Sequence, residues 1–231
     1  MRVFAIGDLH LSINNPKPMD IFGPVWDGYL ETIEKDWESK VTDNDVVLIP
    51  GDISWAMKMQ EAKSDLEYIC RLKGKKIIIK GNHDYWWNSI GELRQNLTNE
   101  TYAIQNNAYK FGNVIICGSR GWIIPDNDVR TEQDEKIYKR ELIRMELSLK
   151  SMQVLRNDGD KVIVMTHFPP FNYKMDNNEM TELFEKYKVD AVVFGHLHSY
   201  DNHQKLTFRK NDINYYLVSC DMVNNQLIEI V

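Results

Sequence analysis

The sequence predicts an α/β fold with a mixed sheet system, and three observations carry that reading. Six short apolar runs rich in β-branched residues recur along the chain, helical stripes separate most of them, and after residue 200 the pattern changes to that of a hairpin. Short runs without polar alternation read as strands buried on both faces, and strands alternating with helices favour an α/β architecture.

Taken in order, Val3-Phe4-Ala5-Ile6 stops at Gly7-Asp8-Leu9-His10, and Trp26, Tyr29, Leu30, Ile33 and Trp37 then mark a helical stripe. Val46-Val47-Leu48-Ile49 stops at Pro50-Gly51-Asp52 and is followed by a stripe at Ala62, Leu66 and Ile69. Ile77-Ile78-Ile79 leads to Gly81-Asn82-His83-Asp84, and Val114-Ile115-Ile116 leads to Gly118-Ser119-Arg120. The longest stripe, Tyr138, Leu142, Met145, Leu149 and Met152, steps by fours and threes as one helix face requires. Val162-Ile163-Val164-Met165 then stops at Thr166-His167; a short stripe follows at Met180, Leu183, Phe184 and Tyr187. Val192-Val193-Phe194 stops at Gly195-His196-Leu197-His198. Residues 205–209 and 213–219 flank the polar turn Lys210-Asn211-Asp212 and read as an antiparallel hairpin, with one more strand over 226–231. Two long loops rich in Pro and Asn span 12–23 and 168–178. Without internal repeat, low-complexity tract or linker, residues 1–231 read as a single domain.

A net charge of −6 and a sequence pI near 5.6 weigh against non-specific binding to nucleic acid or to an anionic membrane. Cys70, Cys117 and Cys220 are scattered and form no CxxC pair, which fits a reducing compartment. The first apolar run is too short for a signal-peptide core and no run approaches a membrane span, so a cytoplasmic protein is expected.

Chemistry concentrates where the strands end, the place where open α/β sheets collect ligands. Of six histidines, five (His10, His83, His167, His196 and His198) fall in the polar clusters that stop the apolar runs. Core histidines satisfied by one hydrogen bond would be scattered instead. His196 and His198, at i and i+2 on an extended segment, can aim both imidazoles at one region. The donor types are imidazole, carboxylate and amide oxygen with no thiolate, a set suited to Mn, Fe or Zn and poorly suited to Mg or Ca alone.

In the order D-x-H, G-D, G-N-H-D, H and G-H-x-H, the chain resembles the calcineurin-like metallophosphoesterases, and the match runs from Asp8 to His198. The resemblance implies a four-layer α/β/β/α sandwich, two mixed sheets face to face with helices outside. It further implies two divalent transition metal ions at one end. One would be held by Asp8, His10, Asp52 and His198, the other by Asp52, Asn82, His167 and His196, with Asp52 bridging. His83 would stand beside the metals as a catalytic group, protonated toward the leaving oxygen, and Asp84 would either orient it or serve the turn.

The activity so implied is hydrolysis of a phosphate ester by a metal-activated hydroxide, on a small phosphorylated substrate that is either a monoester or a small diester. Arg120 and Asn82 are the substrate contacts this reading selects. Trp55, Trp86 and Trp87 follow the two motifs, where packing beneath the site competes with stacking on a substrate ring. Lys17, Lys174 and His203 read as solvated surface residues. A non-catalytic scaffold of this fold would be expected to have lost ligands or His83, and this chain keeps them all. A nuclease would need a basic track that the acidic balance does not advertise.

Overall fold

In the computed structural model, residues 1–125, 131–198 and 205–231 are described. His203 and residues 126–130 lie outside them. The first sheet is built from β1 (Val3–Ala5), β2 (Val46–Ile49), β3 (Lys75–Ile78), β4 (Thr101–Ala103) and β11 (Ile228–Glu229) in the order β11-β1-β2-β3-β4. The second holds β5 (Ala108–Phe111), β6 (Val114–Gly118), β7 (Lys161–Met165), β8 (Ala191–Phe194), β9 (Thr207–Lys210) and β10 (Ile213–Leu217) in the order β5-β6-β7-β8-β10-β9. Both are mixed: β11 runs antiparallel to β1, and β5 and β9 run antiparallel to their neighbours, while the central strands are parallel.

Strand side chains alternate between two hydrophobic layers, because successive residues of a strand point to opposite faces. Val3, Ala5, Val46, Leu48, Ile77 and Ile79 meet Val114, Ile116, Ile163, Met165 and Val193 in a layer between the sheets. Phe4, Val47, Ile49 and Ile78 pack outward against α1 (Tyr29–Lys40) and α2 (Met59–Arg71). Ile115, Val162, Val164 and Val192 pack outward on the other side against α4 (Glu132–Leu155) and α5 (Glu179–Lys186). This is the four-layer sandwich that the resemblance implied. The apolar runs lack alternation because both of their faces are covered.

Three elements were not legible in the runs. The helix α3 (Ile90–Asn96) has a Ser89 side-chain cap but buries only Leu93, so it carries no stripe. β4 is three residues long, and β5 is an edge strand with every residue half-buried. Trp26 belongs to a separate 3₁₀ turn, Pro24–Trp26, which left-handed Gly28 divides from α1. The hairpin turn is tighter than the polar stretch suggested: Asn211 and Asp212, at φ 49° and 62°, make the primed turn that matches strand twist. Among the described residues no helix is long and apolar enough to cross a membrane.

The turn into β2 is held by Asp45, whose buried carboxylate accepts from the Arg2 backbone N–H at 2.7 Å, the Thr42 N–H at 3.0 Å and the Thr42 hydroxyl at 2.8 Å. Burial pushes this carboxyl up, but the Arg2 and Thr42 hydrogen bonds and the Arg2 charge outweigh it and hold Asp45 at about 2. A folded value below the unfolded one adds stability above about pH 4 that is lost as pH falls toward 2, worth about 2 kcal/mol. Urea unfolding of Asp45→Asn should therefore show a deficit of that order at pH 7 that closes on acidification through this window. A deficit independent of pH would contradict the linkage.

Candidate metal centre

The first loops of the two leading strands are laced together at one end of the sandwich. Asp8 N–H donates to Gly51 O at 3.1 Å, His10 N–H to Asp52 O at 3.0 Å and Leu11 N–H to Ile53 O at 2.8 Å. Gly7 N–H reaches Val218 O at 2.7 Å and Cys220 N–H returns to Gly7 O at 3.0 Å, so the end of β1 also joins the second sheet. The Tyr29 hydroxyl, from α1, donates to Leu9 O at 3.0 Å and clamps the D-x-H turn from outside. Asp8, His10, Asp52 and His196 all adopt left-handed backbone, with φ 56°, 46°, 50° and 73°. That conformation costs a residue with a side chain roughly 1 kcal/mol or more, and the surrounding hydrogen bonds hold it.

Two glycines press on the carboxylates. A Cβ at Gly81 would fall on Asp52, and a Cβ at Gly195 would fall on Asp8, so each carboxylate lies in a cradle that a larger residue would fill. Asp8 accepts the His196 N–H at 3.1 Å, and Asp52 Oδ1 accepts the His83 N–H at 2.8 Å. Among the described residues, buried Asp52 Oδ2 has no hydrogen-bond partner, and it faces His167 Nε2 at 3.5 Å and His10 Nε2 at 3.9 Å.

His167 Nδ1 lies 3.0 Å from Pro50 O, which can only accept, so the proton sits on Nδ1 and the Nε2 lone pair points inward. Asn82 Oδ1 approaches that Nε2 at 2.5 Å and His196 Nδ1 at 2.9 Å. His198 Nε2 lies 3.4 Å from His10 Nε2 and 3.8 Å from Asp8 Oδ1. All seven residues selected from the sequence as ligands thus converge. Among the described residues, Asp8, His10 and His198 form one trio with donor atoms within 4.8 Å of one another, and Asp8, Asp52 and His167 form another.

Electrostatics make the convergence costly without a cation. Burial, opposed by the charge on His198, pushes the Asp8 carboxyl up; burial and the neighbouring Asp84 and Asp8 do the same to Asp52. Burial lowers His10 and His167 well below the imidazole range and takes His196 to about 4. Acceptor atoms and uncharged rings facing each other in a dry site repel, and positive charge at their centre removes the penalty. The donor set and the orphaned Asp52 oxygen therefore fit divalent metal. His198, with 33% of its side chain exposed, marks the side open to solvent.

The other sequence candidates divide. The ring of His83 packs edge-on against Trp55, 4.7 Å between centroids, and lies 5.7 Å from that of His10. Asp84 is fully buried and its oxygens are occupied by the Ile53, Ser54 and Gly81 N–H groups and the Trp86 indole, at 2.7 to 3.2 Å. Among the described residues no hydrogen bond joins it to the His83 ring, so it ties two ligand loops together and does not orient His83. Trp86 and Trp87 are buried beneath the site, whereas Trp55 stacks on His10 at 4.7 Å. The Arg120 carbonyl accepts the His167 N–H at 2.9 Å, and its guanidinium lies over the Trp122 ring. Lys17 and Lys174 are exposed.

Asp221 escaped the sequence reading because an acidic residue in a turn carries no signal of its own. Its Oδ1 accepts from His198 Nδ1 at 2.9 Å, leaving Nε2 facing the centre. Burial lowers His198, but Asp221 and Asp8 outweigh it and raise the imidazole above its ordinary value, which makes it a more basic ligand. Asp221→Ala should weaken Mn²⁺ affinity by about 10- to 100-fold in a calorimetric titration while leaving saturating stoichiometry unchanged. Unaltered affinity would remove Asp221 from the centre.

The family model described as calcineurin-like phosphoesterase matches residues 1–200. A Vesicomyosocius okutanii protein named "Probable cyclic nucleotide phosphodiesterase" is 24% identical over 164 residues, covering 67% of this chain and 62% of its own length. A Coxiella burnetii protein named in the same words is 24% identical over 221 residues, covering 86% of this chain and 76% of its own length. This chain thus spans less than two thirds of the first of these relatives. Among solved structures, the protein TT1561 of Thermus thermophilus shares the fold with a TM-score of 0.61 at 13% identity, over 99% of this chain and 98% of that one.

Proposed function

The chain belongs to the calcineurin-like phosphoesterase family, and we propose that it hydrolyses small phosphate esters at the Asp–His–Asn centre with two divalent transition metals, Mn, Fe or Zn. The single observation that carries the reading is the buried, unpartnered Asp52 Oδ2, set between imidazoles delivered by the two different sheets. Asp8, His10, Asp52 and His198 would hold one metal, and Asp52, Asn82, His167 and His196 the other. When bound, the metals would polarise the phosphoryl oxygens and lower the pKa of water at neutral pH. The names of the two relatives support a small phosphodiester, with cyclic nucleotides the first class to test.

The chain's own residues supply position and proton control. The laced loops fix Asp8 and Asp52 before any substrate arrives, which is the preorganisation that electrostatic catalysis needs. His83 is anchored through its N–H to Asp52 and through its ring to Trp55, so it stands at the rim of the centre beside His10. Burial, with His198 nearby, holds His83 below the usual imidazole value. To donate to the leaving oxygen, as the sequence suggested, His83 would take up its proton as the anionic ester binds. Trp55 keeps one side of the two imidazoles dry.

His83→Ala should lower kcat by about 10²- to 10⁴-fold, the usual range for a positioned acid or base, and leave the metal content unchanged. Asp52→Asn should lose metal and turnover together. Both are read by elemental analysis and by hydrolysis of a nitrophenyl monoester and a bis-nitrophenyl diester. Turnover by Asp52→Asn at the wild-type rate, or no hydrolysis by the Mn²⁺-supplied wild type, would overturn the reading.

A further inference from the structure

Beside the metal centre lies a cavity of about 200 Å³ whose walls include Lys80, Arg120, Arg140 and Arg144 with the carboxylate of Glu141. Its position is fixed by the same loops that carry the ligands. Lys80 immediately precedes Gly81-Asn82, and Arg120 accepts the His167 N–H through its carbonyl. Arg140, Glu141 and Arg144 come from α4, which lies against the second sheet. On a chain of net charge −6, this local excess of cations is unexpected.

Arg140 and Arg144 share a single carboxylate, which leaves the four cations in excess. Glu141 is fully buried, and its Oε1 accepts from Arg144 at 2.8 Å with Arg140 at 3.8 Å. Lys80 donates to the Trp87 carbonyl at 2.6 Å, and Arg120 lies over the Trp122 ring at 4.8 Å. Among the described residues neither Lys80 nor Arg120 has a carboxylate at salt-bridge distance, and the buried Arg120 Nε has no acceptor. A buried guanidinium N–H without an acceptor is costly, and Arg fits phosphate oxygens because its planar fork donates two parallel hydrogen bonds. Gln105 and Asn106 add amides to the same wall. The volume falls below the roughly 300 Å³ at which whole drug-sized ligands are accommodated, so the cavity suits one phosphoryl-sized group and not a nucleoside.

We propose that this cavity binds a second phosphoryl group of the substrate while the metal centre takes the scissile ester, so that the substrate class is a small phosphate ester carrying another phosphate. The inference rests on the phosphoesterase reading for its catalytic half. Its binding half rests on the cavity alone. Arg120 joins the two, its backbone on the metal-centre loop and its side chain in the cavity.

The test uses two chromogenic diesters that differ by one phosphate, thymidine 5′-(nitrophenyl phosphate) with and without a 3′-phosphate, on the Mn²⁺-loaded protein. The wild type should prefer the 3′-phosphorylated diester by about tenfold or more in kcat/KM, mainly through KM, since losing one charged hydrogen bond costs at least that factor. Arg140→Gln/Arg144→Gln should abolish the preference. Arg140→Gln alone, whose side chain is 53% exposed and whose loss leaves the Arg144–Glu141 hydrogen bond in place, should reduce it. Equal use of the two diesters by the wild type, or a preference that survives the double substitution, would overturn the proposal. If neither diester is hydrolysed, the phosphoesterase reading fails, and titration of inorganic phosphate into the Asp52→Asn chain still decides the cavity. Binding weakened about tenfold by the double substitution supports it, and binding left unchanged rules it out.

Discussion

Two carboxylates, Asp8 and Asp52, have no exposed surface and stand within reach of three imidazoles, those of His10, His167 and His198, and the end of the sandwich is organised around keeping them there. Isolated carboxylates in such a place would take up protons, and burial pushes both in that direction. The chain meets this cost with geometry. Left-handed turns at Asp8, His10 and Asp52 are locked by hydrogen bonds between neighbouring loops, and Gly81 and Gly195 leave room where any side chain would collide. A rigid, dry group of acceptors is a poor arrangement for a protein alone and a good one for a protein that holds cations.

The two sheets have separate duties in that arrangement. The first supplies Asp8, His10, Asp52 and Asn82 from the ends of β1, β2 and β3, and the second supplies His167, His196 and His198 from the ends of β7 and β8. The apolar layer between the sheets holds these two half-sites in register, and the bridge from Gly7 to Ser219 ties them at the site itself. Asp84 acts as a hub, receiving hydrogen bonds from two ligand loops at once. Loss of packing far from the site would then be felt as lost alignment between the half-sites.

Much of this was legible in the sequence because the central strands are covered on both faces, which turns them into uninterrupted apolar runs ending in ligand clusters. The helix stripes of α1, α2, α4 and α5 were legible for the complementary reason, since each buries one face only. The misses share a physical cause. β4 and β5 are short or half-exposed, and α3 buries a single leucine, so burial imprints no pattern on them. Asp221 and the cavity beside Arg120 depend on residues brought together from distant segments, Lys80 with Arg140 and Arg144 for instance, and no local spacing reports such a meeting. Asp84 shows the limit of adjacency, because its neighbour in sequence, His83, is not its partner in space.

The claim that the centre is built for cations is tested most directly by thermal unfolding of the chelator-stripped chain with and without Mn²⁺. Ligand at about a hundred times its dissociation constant adds about 2.7 kcal/mol per site, and each kcal/mol raises Tm by about 2–4 °C in a chain of this size. Two occupied sites should therefore raise Tm by about 10 °C or more. The same addition should leave the Asp52→Asn chain nearly unmoved. A wild-type Tm unaffected by the metal would contradict the account, because the buried carboxylates would then be stable without the charge they are arranged to hold.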